Sequence, residues 1–277
     1  MSLETLRALE QKLEKEIPSF KVRFKDESLL MRALGLLMRP INPTFMTVFT
    51  TTLGSTAYFP SRLRYDGQPD RSIVTLSHEF VHMYDSREAG ARFQLGYAAP
   101  QIWAIPFFIL HAVVGSPLPI AAFLVGYIIL ALLRGARDTR PGILFWIFLG
   151  LVTLGSLALS IFIAGWWTFV LLAGLVCLGP WASKGRTHWE VRGYTMNLAI
   201  YMWLRSALVP EAVVLDYVKN FTGSNYWFMC RDAEKVESQF ALALRMTLER
   251  KLQCDKPYSI IHDFLVEQGR VAATFST

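Results

Sequence analysis

Residues 78–82 read His-Glu-Phe-Val-His. On a helix, side chains four positions apart lie on one face, so His78 and His82 can hold a single zinc ion between their imidazoles. Glu79 then stands beside the open position of the metal. Zinc lowers the pKa of its bound water, and a carboxylate placed there takes the proton as water attacks a carbonyl. The stretch from Ser72 to Glu88 supplies Ile73, Val74, Leu76, Phe80, Val81 and Met83 as the apolar partners such a helix needs.

A catalytic zinc site takes three protein ligands and leaves the fourth position open. Glu190 is the leading candidate for the third, in His188-Trp189-Glu190-Val191-Arg192-Gly193-Tyr194 at the start of an apolar helix that runs to about Leu208 and stops at Pro210. Glu190, Gly193, Tyr194 and Asn197 share one helical face. Gly193 would leave room at the metal, and Tyr194 could donate to the oxyanion of a reacting carbonyl. Glu88 is the rival, ten positions after His78, where metzincins place their third ligand. That motif needs a glycine to turn the chain where this sequence has Asp85, and His188 is a weaker alternative. Asp85, one turn beyond His82, is placed either to hold an imidazole or to lie on the surface.

Around this motif the composition is that of a membrane protein. Of 277 residues 53% are hydrophobic and 18% charged, against about a quarter charged in soluble domains. No Asp, Glu, Lys or Arg occurs between Arg92 and Arg134, nor between Arg140 and Lys184. Each block exceeds the roughly 20 apolar residues of one crossing, and each is interrupted near its middle, by Gly115-Ser116-Pro117-Leu118-Pro119 and by Ala164-Gly165-Trp166-Trp167. Two hairpins with about four short spans are expected, near 98–114, 119–133, 141–162 and 166–181. Trp166, Trp167 and Trp181 flank them as interfacial anchors. If each block is a hairpin, the arginines of residues 134–140, Lys184, Arg186 and both termini fall on one side, which the positive-inside rule makes the cytoplasm.

The amino-terminal stretch carries no signal-peptide core. Leu3, Leu6, Leu9 and Leu13 make an amphipathic helix ending near Pro18, and Leu29 to Met38 a second. Met46–Leu53 and Thr56–Phe59, rich in β-branched and aromatic residues and separated by Gly54-Ser55, read as a hairpin or a pair of edge strands. After the membrane region come charged amphipathic helices near 231–253 and 258–268. The cluster Tyr226-Trp227-Phe228 is expected to pack that domain, with the lining of a substrate groove as the alternative. Cys177, Cys230 and Cys254 are too scattered for a disulfide framework or a cysteine zinc site. The net charge of +6 is distributed without an aromatic-interleaved basic stretch, so no nucleic-acid partner is expected. His111 is an ionisable group inside an apolar block and a candidate for function on that ground, whereas His262 reads as a surface helix residue.

A HExxH helix, a membrane hairpin region and then a glutamate on a following helix resemble the membrane-embedded gluzincins, a group that includes the CAAX-processing and stress-induced membrane zinc proteases. By that resemblance His78 and His82 match the histidine ligands, Glu79 the general base and Glu190 the distal ligand. It implies an endopeptidase whose site opens to the cytoplasmic face. Tyr194 stands where those proteases usually carry an aspartate, four residues after the ligand glutamate. The Thr-rich strand before the motif matches the zincin habit of an edge strand beside the active-site helix, able to hold an extended peptide by β-augmentation.

The expected fold is mainly α with a small β element, a zincin-like core split by an inserted helical membrane region. Residues 1–70 form amino-terminal helices and edge strands, 71–92 the catalytic helix, 93–183 the membrane hairpins, and 184–277 a helical domain supplying the third ligand. The expected function is a zinc-dependent membrane metallopeptidase acting on peptide or protein substrates at the cytoplasmic membrane face, with the lipid bilayer as its other partner. The alternative is a membrane-inserting structural or delivery protein, a virion or secretion component, with a structural or vestigial zinc. A non-peptidase zinc hydrolase is the third reading, because HExxH selects water activation and not the carbonyl attacked.

Overall fold

The structure, a computed structural model, describes residues 1–39, 42–134, 143–179, 181–223 and 228–271. It is mainly helical with one small sheet. Along the chain, α1 (Leu3–Glu16) and β1 (Lys21–Phe24) lead to α2 (Leu29–Met38), then β2 (Thr51–Leu53), β3 (Thr56–Phe59), α3 (Arg62–Gly67), α4 (Pro69–Ala89) and α5 (Ala91–Ala98). The apolar helices follow as α6 (Ala104–Val114), α7 (Leu118–Arg134), α8 (Ile143–Ala164) and α9 (Thr168–Cys177). The chain then runs through α10 (Lys184–Arg205), α11 (Glu211–Thr222), α12 (Ala233–Leu248) and α13 (Lys256–Glu267).

These elements form two compact units, the first made of residues 1–24, 50–97 and 182–277 and the second of residues 25–49 and 98–181. The second unit therefore takes in α2, which the sequence reading grouped with the amino-terminal helices.

In the first unit α4 is the central element. Pro69 opens it, supplying a fixed φ where no amide donor is needed, and Gly90 at φ 53° ends it. Its middle, between Ser72 and Asp85, is largely buried because other helices cover it on several sides: α10 packs along it, with α1 and α13 alongside. Of the stripe Leu3, Leu6, Leu9 and Leu13 expected from spacing, the last three are fully buried in the same core as Ile73, Leu76 and Phe80, and Leu3 at the first turn is exposed. Each such buried leucine contributes about 2 kcal/mol by leaving water. Ser2 caps α1 by accepting from the amide of Thr5, and Ser183 caps α10 by accepting from that of Arg186. A second apolar cluster joins the middle of α10 to α11 and α12 through Leu198, Phe221 and Phe240.

The expected hairpin forms as β2 and β3, paired antiparallel across Gly54, whose φ of 59° the turn requires, but the first strand is shorter than the expected Met46–Leu53: residues 46–48 are a turn and only Thr51–Leu53 pairs. β1, absent from the sequence reading, pairs parallel with β3. The order β1-β3-β2 leaves β2 at the edge.

In the second unit the apolar blocks break where the sequence breaks, at 115–117 and at Gly165, but the helices pair differently from expectation. Residues Ile143–Cys177 make one helical segment of 35 residues, the one segment among the described residues that by itself is long and apolar enough to cross a membrane. It is about 50 Å long against a hydrocarbon core of about 30 Å. α7 packs against α8, and α6 against α9. The close approaches follow one antiparallel register, with Gly126 at Val152, Gly115 at Ala164 and Gly174 at Phe108. The two expected hairpins, one per block, are thus replaced by α6 and α7 lying along successive halves of a single arm. The assignment of both termini and the arginine-rich loop to one side loses its premise, and that loop lies outside the described residues from 135 to 140.

Side chains such as Val113 at 78%, Phe162 at 89% and Trp166 at 85% exposure face outward from this unit. His111 does not. It is fully buried, with Nδ1 against the Trp167 carbonyl at 2.9 Å and Nε2 against Ser160 Oγ at 3.3 Å, so its polar atoms are satisfied within the helix packing.

Candidate metal centre

α4 places His78 and His82 one turn apart on the face that α10 covers, and α10 brings Glu190 to them. The three side chains are buried, and their ligand atoms all lie within 4.8 Å of one another. Nε2 of His78 and Nε2 of His82 are 3.0 Å apart. Glu190 Oε2 is 3.6 Å from the first, and its Oε1 3.7 Å from the second. Two ligands of a tetrahedral zinc, each about 2.05 Å from the ion, are separated by about 3.3 Å. The observed distances bracket that value.

Two further observations fit a cation. Glu190 Oε2 is buried without a hydrogen-bond partner, a costly state for a carboxylate oxygen unless a cation satisfies it. A Cβ built on Gly193 would meet His78 Nε2 at 2.6 Å, so the helix crosses the imidazole at a distance only glycine permits. This is the room that the sequence reading gave to Gly193.

The charges in the cluster are unequal. At His82 burial dominates, and its pKa falls to about 4. At His78 burial pulls the same way, but the Glu190 carboxylate 3.6 Å away, the charge of Glu79 and the neighbouring Asn197 amide together outweigh it, and its pKa rises. Burial also opposes ionisation of Glu190, yet His78, His82 and Tyr97 hold that carboxyl down to about 2. The site therefore presents one carboxylate, one neutral imidazole and one imidazole that readily holds a proton.

Glu79 is buried beside the cluster, and its Oε2 accepts a hydrogen bond of 2.6 Å from Thr52 Oγ1 on the edge strand β2. Tyr97, near the end of α5, donates its hydroxyl to Glu190 Oε1. Burial, then the charge of Glu190, pushes Tyr97 well above the usual phenol range, so it stays a donor. Neither contact was anticipated: β2 was read as a neighbour of the motif without a role for Thr52, and Tyr97 belongs to no spacing pattern with the histidines. A phenol or hydroxyl that reaches a site from a separate element leaves no local signal.

The other candidates are placed elsewhere. Tyr194 sets its ring edge-on to His78 at 5.0 Å, while its hydroxyl accepts from Asn220 Nδ2 at 3.3 Å among Tyr217, Phe221 and Phe240. It thus buttresses the imidazole by packing. Asp85 is buried but bonds no imidazole. It accepts two hydrogen bonds from Arg192, at 2.7 and 2.8 Å, and Arg192 reaches Asp255 at 2.9 Å. This fork clamps α10 to α4 two residues beyond Glu190. Glu88 and His188 lie outside the cluster, along an open cleft of about 480 Å³ with Arg92 and Trp189. His262 is buried with its ring against Trp203 and is not a surface residue. Of the cluster 226–228, Tyr226 and Trp227 lie outside the described residues.

Comparisons with protein families, with curated proteins and with solved structures give no match to this chain.

Proposed function

We propose that this chain is a zinc-dependent peptidase carried on a membrane unit, with His78, His82 and Glu190 as ligands and Glu79 as general base. The observation that carries the reading is the buried cluster in which the two imidazole Nε2 atoms are 3.0 Å apart and the Glu190 carboxylate lies 3.6 and 3.7 Å from them through its two oxygens, next in sequence to a buried carboxylate. This is the arrangement expected from the gluzincin resemblance, with Tyr97 and Tyr194 near the ligands where those proteases use an aspartate.

A zinc ion held there supplies the Lewis acidity that activates water and polarises the scissile carbonyl. Glu79 takes the proton of the attacking water and returns it to the departing amine. Thr52 fixes the plane of that carboxylate by its bond to Oε2. The free edge of β2 offers backbone donors and acceptors to an extended peptide, which would run past Glu79 and the ligands. Gly193 and the ring of Tyr194 hold the His78 imidazole in place. The apolar side chains exposed on α6 to α9, together with the 35-residue helical segment, support attachment to a bilayer.

The test is Glu79→Gln in detergent-purified protein. The variant retains zinc and loses hydrolysis of a peptide library at least 1000-fold, and retained cleavage would remove the mechanism.

The length of that segment, about 50 Å by the helical rise, also favours a second reading in which the arm is the working part and the chain inserts into membranes as a structural or delivery component. Permeabilisation of liposomes that is unchanged by chelators and by Glu79→Gln would select it.

A further inference from the structure

We propose that Tyr97 is the positioning residue of the metal centre, holding Glu190 so that its carboxylate faces the two imidazoles. This rests on the zinc reading of the site and adds to it a residue from outside α4 and α10. A glutamate side chain has three rotatable bonds, and an oxygen left to turn spends part of its time away from the metal. Here Oε1, 3.7 Å from His82 Nε2, accepts from the Tyr97 hydroxyl, and Oε2, which has no hydrogen-bond partner, lies 3.6 Å from His78 Nε2. Fixing one oxygen fixes the other.

Tyr97 is itself held at both ends. Its ring stacks on Phe93 at 5.5 Å and meets the edge of His82 at 5.8 Å. Its carbonyl accepts from Arg186 Nε at 3.0 Å, one helical turn before Glu190 on α10. The phenol therefore cannot follow the carboxylate if the latter rotates. Hydrogen bonds that orient a metal ligand from outside the coordination shell are worth about 10- to 100-fold in metal affinity. No charge is lost with this donor, so the effect reads out as ligand geometry.

The experiment measures zinc affinity by competition with a chromogenic chelator on the full-length chain in detergent. It compares the wild type, Tyr97→Phe, Glu190→Ala, the double variant, and Phe93→Leu as a control that disturbs packing and keeps the hydroxyl. Tyr97→Phe is expected to bind zinc about 10- to 100-fold more weakly and to shift the visible bands of the cobalt-loaded protein, while the metal-free chain keeps its helical circular dichroism at 25 °C. In the Glu190→Ala background the same change is expected to have no further effect, because the group it orients is gone. Wild-type affinity in Tyr97→Phe, or an equal loss with and without Glu190, would overturn the inference and leave the zinc reading standing. A wild type that binds no zinc would remove both.

Discussion

A Cβ on Gly193 would stand 2.6 Å from Nε2 of His78 and 2.7 Å from its Cε1, a separation real side chains essentially never show. The imidazole cannot withdraw freely, because Tyr194 closes on it edge-on from the next position along α10. Gly193→Ala is therefore expected to displace His78 and to weaken zinc binding at least tenfold. Alanine raises helix propensity by about 1 kcal/mol over glycine, so α10 itself is not weakened. Chelator competition together with circular dichroism checks this, and a fully helical variant with wild-type affinity would contradict it.

Thr52 and Glu79 make the second linkage, across 27 positions of sequence. Thr52→Val keeps the shape and removes the donor, so the carboxylate loses its orientation while the metal ligands keep theirs. The expected outcome is a kcat lowered about tenfold with zinc content unchanged and KM little altered. Thr52→Ser, which restores the hydroxyl, is expected to recover most of the rate. Equal rates in the valine and serine variants would show that the contact has no part in positioning the base.

Metal affinity is expected to depend on pH through one proton. With His82 lowered to about 4 and Glu190 to about 2, both are already in their binding forms between pH 8 and pH 5. His78 is raised above the ordinary histidine value and holds the competing proton. Because zinc must displace that proton, apparent affinity falls as the pH is lowered, by about tenfold per pH unit once His78 is protonated. A plot of log affinity against pH with a slope near one agrees. A slope near two would mean that His82 also carries a proton.

The cluster of His78, His82 and Glu190 was legible because each of its parts is marked locally. His78 and His82 are joined by helical spacing, and Glu190 stands at the head of the next polar-to-apolar helix after the apolar blocks. The stripe of Leu6, Leu9 and Leu13 and the breaks at 115–117 and Gly165 were legible for the same reason. What escaped was set by pairing between distant segments. The sequence marks where apolar helices end but not which ones touch, and α6 lies against α9 where a hairpin with α7 was expected. Asp85 likewise looked like a neighbour of His82, yet its partner is Arg192, 107 positions away, whose five donors match a buried carboxylate better than an imidazole does. Tyr97 reaches Glu190 across 93 positions, and β1 finds β3 in parallel, neither of which any local pattern announces.

The central claim is that His78, His82 and Glu190 bind one metal ion, and elemental analysis of the detergent-purified, zinc-replete protein tests it most directly. Wild type is expected to carry one zinc per chain, His82→Ala none, and Glu190→Ala a fraction that a mild chelator removes. A correctly folded wild type that carries no zinc under those conditions would contradict the account.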